Sequence, residues 1–175
     1  MVGALRDPHP SPEVVQTPLY EDHLAVVARA GHPLTRANSV SLADLAAFPW
    51  IMAAPGVPMR AMWEAMWRKA GCPAPPVAIE CSSVFTIHGL LSEGDWLTML
   101  SPEQVGRELA AGRLAILAAE IEGAARTIGV TTRAGWRPSG AQAAFLTELK
   151  TRASSHKPLT FLAYRSIKSD LNSRN

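Results

Sequence analysis

The chain has 175 residues, 47% of them hydrophobic and 18% charged, with a formal net charge of +2 at neutral pH. That length supports one domain, or two small lobes, with a real core, and the apolar share excludes a disordered chain. A charge this close to neutral provides no nucleic-acid footprint of its own.

Two cysteines, Cys72 and Cys81, make neither a disulfide framework nor a metal-ligand spacing, a pattern suited to a reducing compartment. The opening MVGALRDPHPSPEV lacks the basic-then-apolar order of a signal peptide. No stretch approaches the about 20 apolar residues that cross a bilayer. The expectation is a cytoplasmic protein with no membrane partner.

In chain order, Met1–Leu5 reads as the last turn of a strand, and the prolines of Arg6–Pro12 make a loop. Leu24–Ala28 is a continuous apolar run suited to a buried parallel strand, broken at Gly31-His32-Pro33-Leu34. Ser41 caps a short helix over Leu42–Ala47. Pro49–Ala53 is a strand ending in the tight loop Ala54–Pro58. In the helix Met59–Ala70, Met59, Met62, Trp63, Met66 and Trp67 recur at helical spacing. That stripe is either core or a subunit contact, and Gly71 ends it.

The stretch Ile79–Pro102 is the centre of the chain. It predicts a strand (Val77–Cys81), a Ser82-Ser83 step, an apolar helix (Val84–Ser92), a stop at Gly94 and a second strand reaching Ser101-Pro102. Pro102–Ala111 reads as a helix closed by Gly112, Arg113–Leu117 as a strand, and Thr127–Arg133 as a β-branched strand. Ser139–Arg152 is a final helix, and the tail beyond Ser154 is expected to be loosely attached. This alternation calls for an α/β fold with a largely parallel sheet and helices on both faces.

A strand feeding a helix through small hydroxyl residues leaves the first helical N–H groups aimed outward. Such an end suits an anion or an oxygen-rich ligand. Ser82 and Ser83, with the amides of Val84 and Phe85, are therefore candidate ligand contacts; the plainer alternative is an N-cap, and both can hold. Phe85 and Thr86 are candidate lining residues, with core packing the alternative for Phe85. In the loop before the other helix, Gly56 with Val57 and Pro58 allows close backbone approach, against the alternative of an ordinary turn. His32 reads as a turn residue and His88 as a satisfied core histidine. Glu21, Asp22, Glu93 and Asp95 read as solvated carboxylates beside turns. There is no strained G-x-S-x-G nucleophile turn and no Gly-rich phosphate loop. No enzyme, cofactor or metal site is expected.

The run Leu19-Tyr20-Glu21-Asp22 … Val26-Val27-Ala28-Arg29-Ala30-Gly31-His32-Pro33-Leu34 resembles the effector-binding domain of LysR-type transcriptional regulators. Ser41-Leu42-Ala43-Asp44-Leu45 … Pro49-Trp50-Ile51 and Ile79-Glu80-Cys81-Ser82-Ser83 … Gly89-Leu90-Leu91 fit the next steps. Ser101-Pro102, Gly112-Arg113-Leu114 and Ile128-Gly129-Val130 … Thr132-Arg133 complete the series. The resemblance covers about Val2–Arg152 and leans toward the subgroup of the galactose-binding-protein regulator.

It implies a type 2 periplasmic-binding-protein fold, two Rossmann-like lobes joined by two crossing strands, with a small-molecule effector in the cleft. About residues 25–125 would form the second lobe; 1–24 and 126–153 would be the remnant of an incomplete first lobe, with 154–175 a flexible tail. Thr131 and Thr132 would lie on the return crossing, where a hydroxyl could reach the cleft; β-branched strand packing is the alternative. Partners implied are a small polar metabolite, further copies of the chain, and DNA only through a helix-turn-helix absent here. The rival reading of the same fold is a solute-binding receptor, disfavoured by the missing signal peptide.

Overall fold

The computed structural model describes residues 1–5, 11–118, 121 and 123–155. Most of the proline loop at 6–12 and all but the first two residues of the tail at 154–175 therefore lie outside the described residues.

In chain order the strands are β1 (Val2–Ala4), β2 (Val14–His23), β3 (Ala25–Arg29), β4 (Trp50–Met52), β5 (Val77–Glu80), β6 (Thr98–Leu100), β7 (Leu114–Ala118) and β8 (Ala125–Arg133). The helices are α1 (Leu42–Ala46), α2 (Pro58–Lys69), α3 (Val84–Glu93), α4 (Gly106–Ala110) and α5 (Gly140–Ser155). They fall into two compact units, a larger one over His23–Ala124 and a smaller one joining Met1–Asp22 to the chain from Ala125 through α5.

In the larger unit β3 lies between β6 and β7 and runs antiparallel to both. β4 pairs parallel with β5, and a parallel bridge between Trp50 and Leu97 ties that pair to the approach of β6. The expectation of a parallel strand at Leu24–Ala28 in a largely parallel sheet is thus corrected. A continuous apolar run records burial on both faces and carries no information on direction.

The two faces are visible in the core itself. Leu24, Val26 and Ala28 pack with Trp50, Met52 and the α2 residues Trp63, Met66 and Trp67. The intervening Ala25 and Val27 pack on the other face with Ile51, Ile87 and Leu91 of α3, and Leu109 of α4. The Met/Trp stripe is therefore core. Trp50 meets Trp63 at 5.5 Å and Trp67 at 6.1 Å between ring centroids, at tilted and edge-on angles. Aromatic side chains of this size bury about 150–250 Å², on the order of 4–6 kcal/mol each at 25 cal/mol per Å².

Local sequence sets the helix ends. Ser41 and Asp44 form a reciprocal capping box at α1, and Pro58 opens α2 one residue earlier than its apolar stripe. The helix expected over Pro102–Ala111 is instead a 3₁₀ turn, Pro102–Gln104, followed by the short α4. Ser101 and Gln104 close a box around that turn, and Val105 leaves the helical region at φ −118° and ψ 9°.

The smaller unit has the sheet order β1-β8-β2, with β1 antiparallel to β8 in the register Gly3 opposite Gly129. β2 is a strand that periodicity did not reveal. It contains Pro18 and mixed polarity, both tolerated because it is an edge strand. A Cβ on Gly129 would stand 2.4 Å from the Thr17 carbonyl oxygen, so glycine is what lets these strands approach. None of the residues of α5 is buried.

Candidate functional site

The amide of Cys81 donates to the Met52 carbonyl at 2.9 Å, which sets the carboxyl ends of β4 and β5 side by side. From these ends the chain enters α2 through Ala53–Val57 and α3 through Cys81–Ser83, so two helix N-termini adjoin. In the first loop Gly56 adopts φ +85°, a left-handed conformation that favours glycine. Val57 offers α2 no side-chain cap, and Pro58 has no N–H to satisfy.

At α3 the Ser83 hydroxyl accepts the Thr86 amide at 3.3 Å and the Thr86 hydroxyl donates back to it at 3.1 Å. The Val84 and Phe85 amides come before any helical acceptor, and the Ser82 side chain is exposed. The positive end of the helix dipole, roughly half an elementary charge, is thus presented at a strand end. Ser82, Ser83, Val84, Phe85, Thr86, Gly56, Val57 and Pro58 all belong to this edge of the larger unit.

Phe85 is not core: it is 88% exposed. The buried face of α3 is centred on Ile87 and Leu91, and Phe85 stands roughly 200° around the helix from Ile87. A plain helical-wheel count could have shown this.

Arg60 was not singled out from the sequence, yet it sits at the same edge. Its Nη1 reaches the Ala53 carbonyl at 3.4 Å and Glu80 at 4.0 Å, while Nε is held by Glu64 at 2.7 Å. Its guanidinium carbon lies 5.1 Å from the centre of the Trp63 ring. The available signal was a cation in the first turn of a helix, where the dipole disfavours it.

Thr131 and Thr132 belong to the smaller unit. Both are half-buried and line a groove of about 450 Å³ with Val2, Trp136, Phe145 and Leu146. The Thr131 backbone is engaged at both groups, donating to the Met1 carbonyl and accepting from the chain's terminal ammonium, each at 2.9 Å.

Of the other titratable residues, His32 is the turn residue expected, while His88 and Asp22 depart from their expected roles. His32 is fully buried and caps a 3₁₀ turn, its Nδ1 accepting the Leu34 amide at 3.1 Å. Burial lowers its pKa below the ordinary imidazole value, and the neighbouring Asp95 opposes that shift. His88 is only partly satisfied. Its Nδ1 lies 3.5 Å from Glu108, and its buried Nε2 has no partner among the described residues. Asp22 is not solvated but 5% exposed and paired with Arg126, and Asp95 pairs with Arg29 at 2.7 Å. Among the described residues no group of His, Cys, Asp and Glu could hold a metal ion, and no helix is long and apolar enough to cross a membrane.

Residues 2–154 match the family model of the LysR substrate binding domain, and the chain belongs to that family. It is similar to the HTH-type transcriptional regulator GalR of Pseudomonas putida, 32% identical over 146 residues, covering 83% of this chain and 36% of that protein. It is also similar to GbpR of Azospirillum brasilense, 33% identical over 81 residues, 46% of this chain and 24% of that one. The chain thus spans about a third or less of these regulators. The regulatory domain of CcmR from Synechocystis, solved in complex with 2-PG, shares its fold with a TM-score of 0.70 at 23% identity, covering 85% of this chain and 71% of that domain. The fold is the type 2 periplasmic-binding-protein fold of the family. That family senses effectors in transcriptional regulators and is not one of enzymes.

Proposed function

We propose that this chain is the effector-sensing part of a cytoplasmic LysR-type transcriptional regulator and binds a small polar metabolite at the carboxyl edge of β4 and β5. The larger unit is read as the second lobe of such a domain and the smaller as part of the first. The observation that carries the site is the Cys81–Met52 hydrogen bond, which sets the open amide ends of α2 and α3 next to each other. Ser82, Ser83, the amides of Val84 and Phe85, and Gly56 are the contacts assigned, with Thr86, Val57 and Pro58 shaping them. Thr131 and Thr132 are assigned a secondary place, since their β-branched side chains serve the strand and its groove. That CcmR's regulatory domain was solved with 2-PG supports a small metabolite as the ligand class.

Binding acts by its differential affinity for two conformations, and DNA contact belongs to the helix-turn-helix of a full regulator. Self-association is part of the proposal. In the smaller unit α5 has no buried residue, and Val2, Val15, Trp136 and Phe145 leave apolar surface open.

A thermal-shift screen of small metabolites, repeated on Ser83→Ala, tests the site. A metabolite that raises Tm in the native chain and much less in the variant supports it, and an equal rise in both refutes it. Light scattering tests association, and a monomer at high concentration would refute that part.

A further inference from the structure

We propose that Arg60 is the charge-selecting contact of this site and that the effector carries an oxyanion, a carboxylate or a phosphate, that replaces Glu80 on its guanidinium. The inference rests on the site reading above and specifies its ligand chemistry.

Arg60 makes one firm ion pair and one loose one. Glu64, one helical turn on, takes Nε at 2.7 Å. Glu80 stands off Nη1 at 4.0 Å, and its side chain is 54% exposed against 15% for Arg60. The Ala53 carbonyl, at 3.4 Å, fixes the guanidinium over the end of β4. Glu80 closes β5, two residues before Ser82, so the guanidinium and the first turn of α3 share one strand edge.

The charges explain why selection follows. Arg60 with Glu64 and Glu80 carries a local net charge of −1, so an anion is admitted only as Glu80 leaves the guanidinium, which returns the remaining Arg60–Glu64 pair to neutrality. Because Glu80 is half in solvent, it gives up little by turning away. An effector oxyanion then takes its place and keeps the partly buried guanidinium paired, and planar guanidinium matches carboxylate or phosphate geometry through two parallel hydrogen bonds. A neutral ligand cannot displace Glu80 in this manner.

The test is a titration of the isotopically labelled chain, followed by NMR, with inorganic phosphate, succinate and galactose as separate probes. Phosphate or succinate is expected to move the Val84 and Phe85 amides and the Arg60 Nε–H signal, and galactose to leave them in place. The tighter of the two oxyanions identifies the group. Arg60→Gln should weaken binding at least tenfold and Arg60→Lys less, whereas Glu80→Gln should tighten it severalfold. That gain is one a purely structural role for Arg60 would not produce. Undiminished binding in Arg60→Gln with Val84 and Phe85 still responding would overturn the role of Arg60 and leave the site intact. A response to galactose alone would overturn the oxyanion and keep the site, and no response to any probe would overturn both. Should Arg60→Gln fail to fold, Glu80→Gln decides: unchanged affinity there refutes the exchange.

Discussion

Arg126 places both Nε and Nη2 on a single oxygen of Asp22, at 2.8 and 2.7 Å, across 104 residues of sequence. Asp22 lies near the end of β2 and Arg126 near the start of β8, so the pair fastens these neighbouring strands of the smaller unit. Removing the carboxylate leaves a guanidinium, itself only 21% exposed, short of its counter-charge. Asp22→Ala is expected to destabilise the protein by about 2–4 kcal/mol, and the double variant with Arg126→Met by less than the sum of the two. Urea unfolding of the three variants measures this, and a wild-type midpoint in Asp22→Ala would refute it.

The three clustered tryptophans of the larger unit, Trp50, Trp63 and Trp67, differ in one atom's fate. Trp50 Nε1 donates to the Leu45 carbonyl at 3.1 Å, whereas the buried Nε1 groups of Trp63 and Trp67 have no partner among the described residues. Replacing tryptophan by phenylalanine removes ring volume at all three sites. At Trp63 and Trp67 it also removes an unsatisfied donor; at Trp50 it removes a hydrogen bond from the Leu45 carbonyl, which keeps the Phe48 amide at 3.4 Å, a loss of about 0.5–1.5 kcal/mol. Trp50→Phe should therefore cost more than Trp63→Phe or Trp67→Phe by about that margin in chemical denaturation. Equal losses would show that packing alone governs the cluster.

These residues also show what the chain made legible. The stripe from Met59 to Trp67 and the run Leu24–Ala28 announced α2 and β3 because burial on a helix face or on both sheet faces leaves a periodic record. Strand direction did not follow, since β3 looks the same in either sense. β2 was hidden because an edge strand tolerates Pro18 and polar residues. At the candidate site, Ser83 and Gly56 were readable because a cap and a left-handed turn demand particular residue types. Arg60 was not, because its place depends on Ala53 and Glu80 arriving from two strands. Asp22 was misread for the same reason: its partner is far away in sequence.

Phe85 offers a direct contrast between stability and binding. Since its ring is 88% exposed, Phe85→Ser should change unfolding free energy by no more than about 0.5 kcal/mol. Its amide remains at the open end of α3, so any change in affinity for an effector isolates the ring's contribution. A loss of several kcal/mol on unfolding would mean that the ring is covered in solution, by another copy of the chain for instance.

His32 makes stability depend on pH with a definite sign. Its ring is fully buried against Phe48, with centroids 4.4 Å apart, and Nδ1 accepts the Leu34 amide. A proton on Nδ1 would abolish that bond and place a cation in the core. Burial holds the folded-state pKa below the ordinary value, with Asp95 opposing and Arg29 adding to the shift. The unfolded chain therefore takes up its proton first. Stability from the neutral ring is complete above the unfolded imidazole value of about 6.5 and is lost as pH falls below it toward the depressed folded value. The slope from this residue cannot exceed one proton, about 1.4 kcal/mol per pH unit. Urea midpoints between pH 7.5 and 5 for the native chain and His32→Gln isolate the effect. The native chain should lose stability more steeply in acid than the variant, which is weaker throughout. Parallel pH profiles would place the acid sensitivity elsewhere in the molecule.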